Sequence, residues 1–105
     1  MKRSPLRSRA HRVTVDERAE YDFVAQRDAG CVAPRLDPEA GACSGRLTRQ
    51  HVKAGPGGRR ITDRAHLVML CEQHHIWSGW ATSKDALLLQ RMYLTLLYPE
   101  AWGAR

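Results

Sequence analysis

Between Arg46 and Trp77 the chain reads RLTRQHVKAGPGGRRITDRAHLVMLCEQHHIW, a stretch holding four of the five histidines and one of the three cysteines. Three of these histidines stand in an ordered frame: His51, fourteen residues, His66, eight residues, His75. A neutral imidazole can take a proton near pH 7 or ligate a divalent ion. Immediately before His75 lies Cys71-Glu-Gln-His74, a Cys-x-x-His knuckle with metal-ligand spacing. Cys31 and Cys43 lie upstream with eleven residues between them, too far apart for a compact Cys-x-x-Cys knuckle. A loop can still return both to Cys71 and His74, and zinc accepts three thiolates and one imidazole tetrahedrally. The competing reading makes the cysteines buried hydrophobes and His74 a surface residue.

These groups need elements to carry them. Thr14-x-x-Glu17 fits a capping box, and Asp16 and Glu17 suit the positive end of a helix dipole, so a helix is expected over 15–29 with Gly30 as its stop. The Pro- and Gly-rich run VAPRLDPEAGACSG is a loop that brings the chain back to Cys43. Alternation from Leu47 to Val52 predicts a short strand, with Leu47, Arg49 and His51 on one face and Thr48, Gln50 and Val52 on the other. A Gly-rich loop follows at residues 53–58, and Arg59, Arg60, Ile61 and Thr62 are expected to form the second strand. Leu67, Val68 and Leu70 lead into Cys71, with a helix starting between Asp63 and Glu72. On that helix Cys71, His74 and His75 share a face, yet His74 and His75 diverge by roughly 100°. One can join Cys71 on an ion while its neighbour points to a different site. Ser78-Gly79 breaks this helix, Thr82-x-x-Asp85 opens a closing helix, and Tyr98-Pro99 ends it. The apolar residues of the closing helix spread wider than one stripe, which suits a core helix and leaves a dimer interface as the second reading.

The chain has 105 residues, a length that suits one domain, and a formal net charge of +6 with fourteen arginines among seventeen basic residues. A small basic domain attracts polyanions, nucleic acid first among them. Residues 1–14 form a basic arm expected to be disordered alone, and residues 15–105 form the single domain. Arg49, Lys53, Arg59 and Arg60 are the candidates for phosphate contact. No apolar run approaches the ~18 residues of a membrane span. The charged N-terminus is no signal peptide, so a cytoplasmic location is expected. In a reducing compartment three cysteines point to metal ligands rather than disulfides.

The frame His51-x14-His66-x8-His75, with the knuckle inside AHLVMLCEQHH and the following WSGWATSK, resembles the HNH endonuclease family. The likeness covers roughly residues 20–98, and the stretch looks like the small HNH proteins of actinobacterial phages. It implies an α+β fold: a small ββα-metal domain with flanking helices and a structural zinc site at Cys31, Cys43, Cys71 and His74. It implies metal-assisted hydrolysis of DNA phosphodiester bonds, with a 5′-phosphate and a 3′-hydroxyl as products. By position, His51 is the general base, and His75 is a ligand of a catalytic Mg²⁺, Mn²⁺ or Ni²⁺ ion. Two residues depart from the family pattern. Gln50 stands where Asp or His commonly ligates the ion, and a carboxamide oxygen is a weaker, uncharged ligand. His66 stands where the family has Asn, either ligating the ion or bracing the loop.

Two function classes follow. One is a DNA endonuclease, encoded by a phage and acting in the cytoplasm of its bacterial host, either beside the terminase in genome packaging or as a mobile-element nuclease. The other is a zinc-stabilised DNA-binding module with weak or lost catalysis, which Gln50 and His66 motivate. A third, partner-binding reading would use the leucine-rich helix at 86–97.

Overall fold

Thr14 starts the first helix by the reciprocal bonding its sequence encodes. Its Oγ1 accepts from the Glu17 N–H at 3.0 Å, while Glu17 Oε1 accepts from the Thr14 N–H at 3.1 Å. The computed structural model describes residues 14–53 and 61–103. Residues 1–13 of the expected arm, residues 54–60 of the Gly-rich loop, and with them Arg59 and Arg60, lie outside the described residues.

Helix α1 spans Val15–Asp28. The left-handed residue that ends it is Ala29 (φ 50°) rather than the expected Gly30, and the Ala29 N–H donates to the Ala25 carbonyl. A single-turn helix α2, Ala33–Leu36 with Pro34 in its first turn, interrupts the long loop. Strand β1, Leu47–His51, stops one residue short of the expected strand.

The second strand is not the one expected at residues 59–62. Ile61 and Thr62 are irregular, and β2 is Leu67–Cys71, antiparallel to β1 with Leu47 opposite Cys71 and His51 opposite Leu67. The run LVMLC does not alternate because every residue of β2 is buried. Leu67 and Met69 pack with Val24 and Tyr21 of α1. Val68 and Leu70 pack with Val32, Ala33, Val52, Ala81 and Leu94. A strand covered on both faces reads as a continuous apolar run, which periodicity alone does not separate from a buried helix. Each such side chain contributes roughly 1.5–3 kcal/mol on burial.

The expected helix over the knuckle is replaced by three pieces. Arg64–His66 is a single 3₁₀ turn, Cys71 is the last residue of a strand, and Gln73–Trp77 is a π-helical turn. Gly79 then takes φ 77°, Trp80–Thr82 forms a second 3₁₀ turn, and α3 runs from Lys84 to Leu97. Its N-cap is Ser83, not Thr82: the Ser83 hydroxyl accepts from the Ala86 N–H at 3.3 Å.

Polar groups fasten the layers. The Asp28 carboxylate, with a side chain 0% exposed, accepts from Arg27 Nε at 2.8 Å and Nη2 at 3.1 Å and from the Met69 N–H at 2.9 Å. The Tyr93 hydroxyl of α3 donates to the same carboxylate. Arg27 also donates to the carbonyls of Arg64 at 2.7 Å and Leu67 at 2.6 Å. A buried charge is tolerable when it is paired and its lone pairs are filled, and here α1, β2 and α3 all supply partners. A second clamp joins Glu20 of α1 to Arg64, whose backbone N–H and Nε both donate to Oε1, at 2.8 and 2.9 Å. Arg64 holds the Glu20 carboxyl below its ordinary range.

Candidate functional site

The metal-ligand residues come from three separate places: Cys31 after α1, Cys43 before β1, and Cys71 and His74 around the end of β2. The structure brings all four together, with their ligand atoms within 4.8 Å of one another. His74 Nδ1 lies 3.1 Å from Cys71 Sγ, 3.5 Å from Cys31 Sγ and 3.8 Å from Cys43 Sγ. A tetrahedral ion with Zn–N and Zn–S bonds of ordinary length would space its nitrogen and sulfur ligands about 3.6 Å apart. His74 is fully buried, and its Nε2–H donates to the Ala40 carbonyl at 2.9 Å. That bond selects the tautomer whose Nδ1 lone pair faces the sulfurs, the usual outer-shell arrangement of a ligating histidine.

The thiols sit in contrasting surroundings. Burial pushes the Cys71 thiol up, but backbone N–H groups of His74 and Ser44, with the Cys43 thiol and the His74 ring, more than offset this and bring it down to about 6. Burial, reinforced by the Cys71 and Cys31 sulfurs, pushes Cys43 up to about 12. A coordinating cation would hold all three sulfurs as thiolates, because a coordinating thiol is deprotonated outright. The cluster can hold a metal ion.

Gly45 lets the loop close on the knuckle. Its φ is +85°, and a Cβ there would meet Glu72 Cβ at 2.8 Å. Around it the Gln73 N–H donates to the Ser44 carbonyl at 3.0 Å, the Glu72 N–H to the Arg46 carbonyl at 2.9 Å, and the Arg46 N–H to Glu72 Oε1 at 3.1 Å. The long spacing between Cys31 and Cys43 is therefore spanned by α2 and closed by ladder-like bonds to the start of the π turn.

His74 and His75 diverge as their adjacency requires. His75 turns to β1, where its Nδ1 lies 2.6 Å from Thr48 Oγ1. The Thr48 hydroxyl donates to the Leu70 carbonyl at 2.8 Å, so it accepts from Nδ1–H of His75. The Nε2 of His75 is then the unprotonated nitrogen, the form in which imidazole binds a metal. Burial lowers the pKa of His75.

His51, at the end of β1, has its Nε2 3.0 Å from the Thr62 hydroxyl. His66 is buried, with its Nδ1 2.8 Å from Asp63 Oδ1 and its ring 5.0 Å from that of Trp102. Asp63 also caps the 3₁₀ turn by accepting from the Ala65 N–H at 3.0 Å, and Trp102 Nε1 donates to the Ala65 carbonyl at 2.6 Å. His66 thus braces the turn between Thr62 and β2. Gln50 lies on the Thr48 face of β1, buried, with Nε2 donating to the Ala81 carbonyl at 3.3 Å. The three histidines of the frame each take a different partner. Among the described residues, Cys31, Cys43, Cys71 and His74 form the one group of three or more His, Cys, Asp or Glu ligands close enough to share an ion.

Of the candidate phosphate contacts, Arg49 is exposed and lies over the Tyr21 ring, 4.1 Å from its centroid. Lys53 is exposed and accepts at its carbonyl from Arg91 Nε at 3.1 Å. The partners Thr48, Thr62 and Asp63 were not singled out from the sequence. Only Asp63-x-x-His66 had a local spacing that could have revealed its pairing; the other two depend on how the strands and turns meet.

No protein-family model matches the chain, and no curated protein and no solved structure matches it either. Among the described residues, no helix is long and apolar enough to cross a membrane.

Proposed function

We propose that this chain is a metal-dependent endonuclease of the HNH kind that hydrolyses DNA phosphodiester bonds on a ββα-metal scaffold. The observation that carries the reading is the back-to-back pair in the turn Gln73–Trp77: His74 faces the three cysteine sulfurs while His75 is held against β1 by Thr48. In this reading the Cys31, Cys43, Cys71 and His74 cluster holds a structural zinc that fixes the turn. His75 Nε2 and Gln50 Oε1 would hold the catalytic ion, which when bound offsets charge developing on the scissile phosphate and the leaving oxygen. Two protein ligands suit a Mg²⁺-type ion, which keeps several waters and draws its remaining ligands from substrate phosphate. His51, oriented through Thr62, takes the proton of the attacking water. His66 holds the turn that carries Thr62. Arg49 and Lys53, with Arg59 and Arg60, supply phosphate contacts that give affinity without sequence information.

One observation favours the second reading, a zinc-stabilised DNA-binding module without catalysis. Gln50 is buried with its amide bound to Ala81, and it brings no charge to the ion. Both readings expect salt-dependent DNA binding; cleavage separates them. Zinc-loaded protein would be incubated with supercoiled plasmid and Mg²⁺, Mn²⁺ or Ni²⁺ in turn, beside His51→Ala. Nicking or linearisation with one ion, lowered ~10²–10⁴-fold in His51→Ala while folding is kept, is the expected result. DNA binding without cleavage under any ion puts the binding module first.

A further inference from the structure

Helix α3 turns Ala86, Gln90 and Leu94 to the core, one every four residues. Gln90 breaks this apolar stripe, and it is 0% exposed. Its Nε2 donates to the Ala81 carbonyl at 3.0 Å, the same oxygen that accepts from Gln50 Nε2 at 3.3 Å. Glutamines from α3 and from β1 thus fill both lone pairs of one carbonyl in the Trp80–Thr82 turn. A carbonyl only accepts, so both amides turn their nitrogen to Ala81 and their oxygen away from it. For Gln90 this arrangement is unfavourable. Among the described residues, Gln90 Oε1 is the one buried side-chain oxygen or nitrogen without a hydrogen-bond partner. A leucine in its place would fill the core and leave no orphaned acceptor. For Gln50 the arrangement decides which end of the amide is turned outward, and that end is Oε1.

We propose that Gln90 is a positioning residue for the divalent ion: it tethers the Ala81 carbonyl to α3, and that carbonyl holds Gln50 with Oε1 presented to the ion. The Ala81 carbonyl belongs to a single 3₁₀ turn that follows Gly79 at φ 77°, and no side chain caps the start of that turn. Helix α3, with 14 residues, is the firmer support. The bond from Gln50 is the longer of the two, so Gln50 follows the carbonyl wherever Gln90 holds it. Thr48 and Gln50 leave the same face of β1 two residues apart, about 7 Å along the strand. From that face Thr48 sets the ring of His75. Each of the two neutral ligands is therefore oriented by a hydrogen bond made at its other end, His75 by Thr48 and Gln50 by Ala81 with Gln90. Partners of this kind fix the direction of a ligand and tune its affinity for the metal. The role of Gln90 rests on the reading of Gln50 and His75 as ion ligands; the orientation of the Gln50 amide does not.

The test joins two nuclear magnetic resonance measurements on the full zinc-loaded chain, as wild type, Gln90→Leu and Gln90→Met. One is solvent exchange of the Gln50 side-chain amide, whose signal is assigned by its loss in Gln50→Leu. The other is titration with Mn²⁺, read by the paramagnetic broadening of the His75 ring signals. Both Gln90 variants lose the donor and the orphaned acceptor together, so the melting temperature should not fall. The Gln50 amide should exchange at least ~10-fold faster in them, and Mn²⁺ should bind roughly 10–100-fold more weakly. A melting temperature that falls while the Gln50 amide stays as it was makes Gln90 a core tether only and overturns the proposal. In the wild type alone, a Gln50 amide exchanging as fast as that of the exposed Gln26 overturns it too, whether or not the variants fold. Equal Mn²⁺ affinity with and without Gln90 overturns the positioning role and leaves the ion site standing. A wild-type chain whose His75 signals ignore Mn²⁺ overturns the ion site itself, and the role of Gln90 with it.

Discussion

Removing the ion from the Cys31, Cys43, Cys71 and His74 cluster should unfold the domain, and the structure allows the size of the effect to be worked out. The segment between α1 and β1 has few other polar anchors. The Val32 N–H donates to the Met69 carbonyl at 3.0 Å, Gln73 N–H to Ser44 at 3.0 Å, Glu72 N–H to Arg46 at 2.9 Å and Arg46 N–H to Glu72 Oε1 at 3.1 Å, while Trp80 Nε1 donates to Asp37 at 3.0 Å, His74 Nε2 to the Ala40 carbonyl at 2.9 Å and Arg35 to the Asp28 carbonyl. Each contributes about 0.5–1.5 kcal/mol net, roughly 4–10 kcal/mol together. A structural zinc contributes roughly 10–16 kcal/mol of apparent binding free energy at neutral pH, against about 5–15 kcal/mol for the whole stability of a small domain. Chelation therefore removes more than the remaining anchors hold. The assay is metal analysis of the purified chain, with one zinc per chain expected, followed by thermal melts read by circular dichroism with and without chelator. The cooperative transition should disappear with chelator and return on adding zinc, and Cys71→Ser should bind zinc several orders of magnitude more weakly. An identical melting temperature with and without chelator would refute the reasoning, because it would mean that the packing of Val32, Ala33 and Leu70 holds the loop unaided.

Three further outcomes are expected. Thr48→Val removes the acceptor that fixes His75, so the affinity for a divalent ion at the proposed catalytic site, read by titration calorimetry on zinc-loaded protein, should fall roughly 10–100-fold with little change in the melting temperature. Asp28→Ala leaves the Arg27 guanidinium without its carboxylate in a site where Asp28 is 0% exposed, and should cost about 3–5 kcal/mol in urea unfolding. Burial, with the hydrogen bond to Asp28, pushes the Tyr93 hydroxyl up to about 12 from the ordinary value near 10. Because the folded value is the higher one, this contribution to stability is complete below pH ~10 and is lost as pH rises towards ~12; ultraviolet titration should show one of the three tyrosines ionising late and together with unfolding.

Local chemistry was readable wherever a few neighbouring residues decide the outcome. The capping box at Thr14 and Glu17, the alternation of Leu47 to His51, the break at Gly79 and the end of α3 at Tyr98 each depend on contacts a few residues apart. The grouping of Cys31, Cys43, Cys71 and His74 was also legible, since three cysteines and a Cys-x-x-His knuckle in so short a chain are the residue types a zinc ion accepts. The same holds for the divergence of His74 and His75, which follows from their adjacency on any tight turn. What the sequence could not place was β2. Residues Leu67–Cys71 are apolar without a period because α1 covers one face and Val32, Ala81 and Leu94 cover the other, and that double cover exists only once the chain has folded. The same dependence put Cys71 on a strand, gave the turn after it a π-helical form, and chose Thr48, Thr62 and Asp63 as the partners of His75, His51 and His66. Ligand identity is a property of residue type and survives in the one-dimensional sequence. Ligand orientation is set by long-range pairing of β1 with β2, and only the tertiary structure decides it.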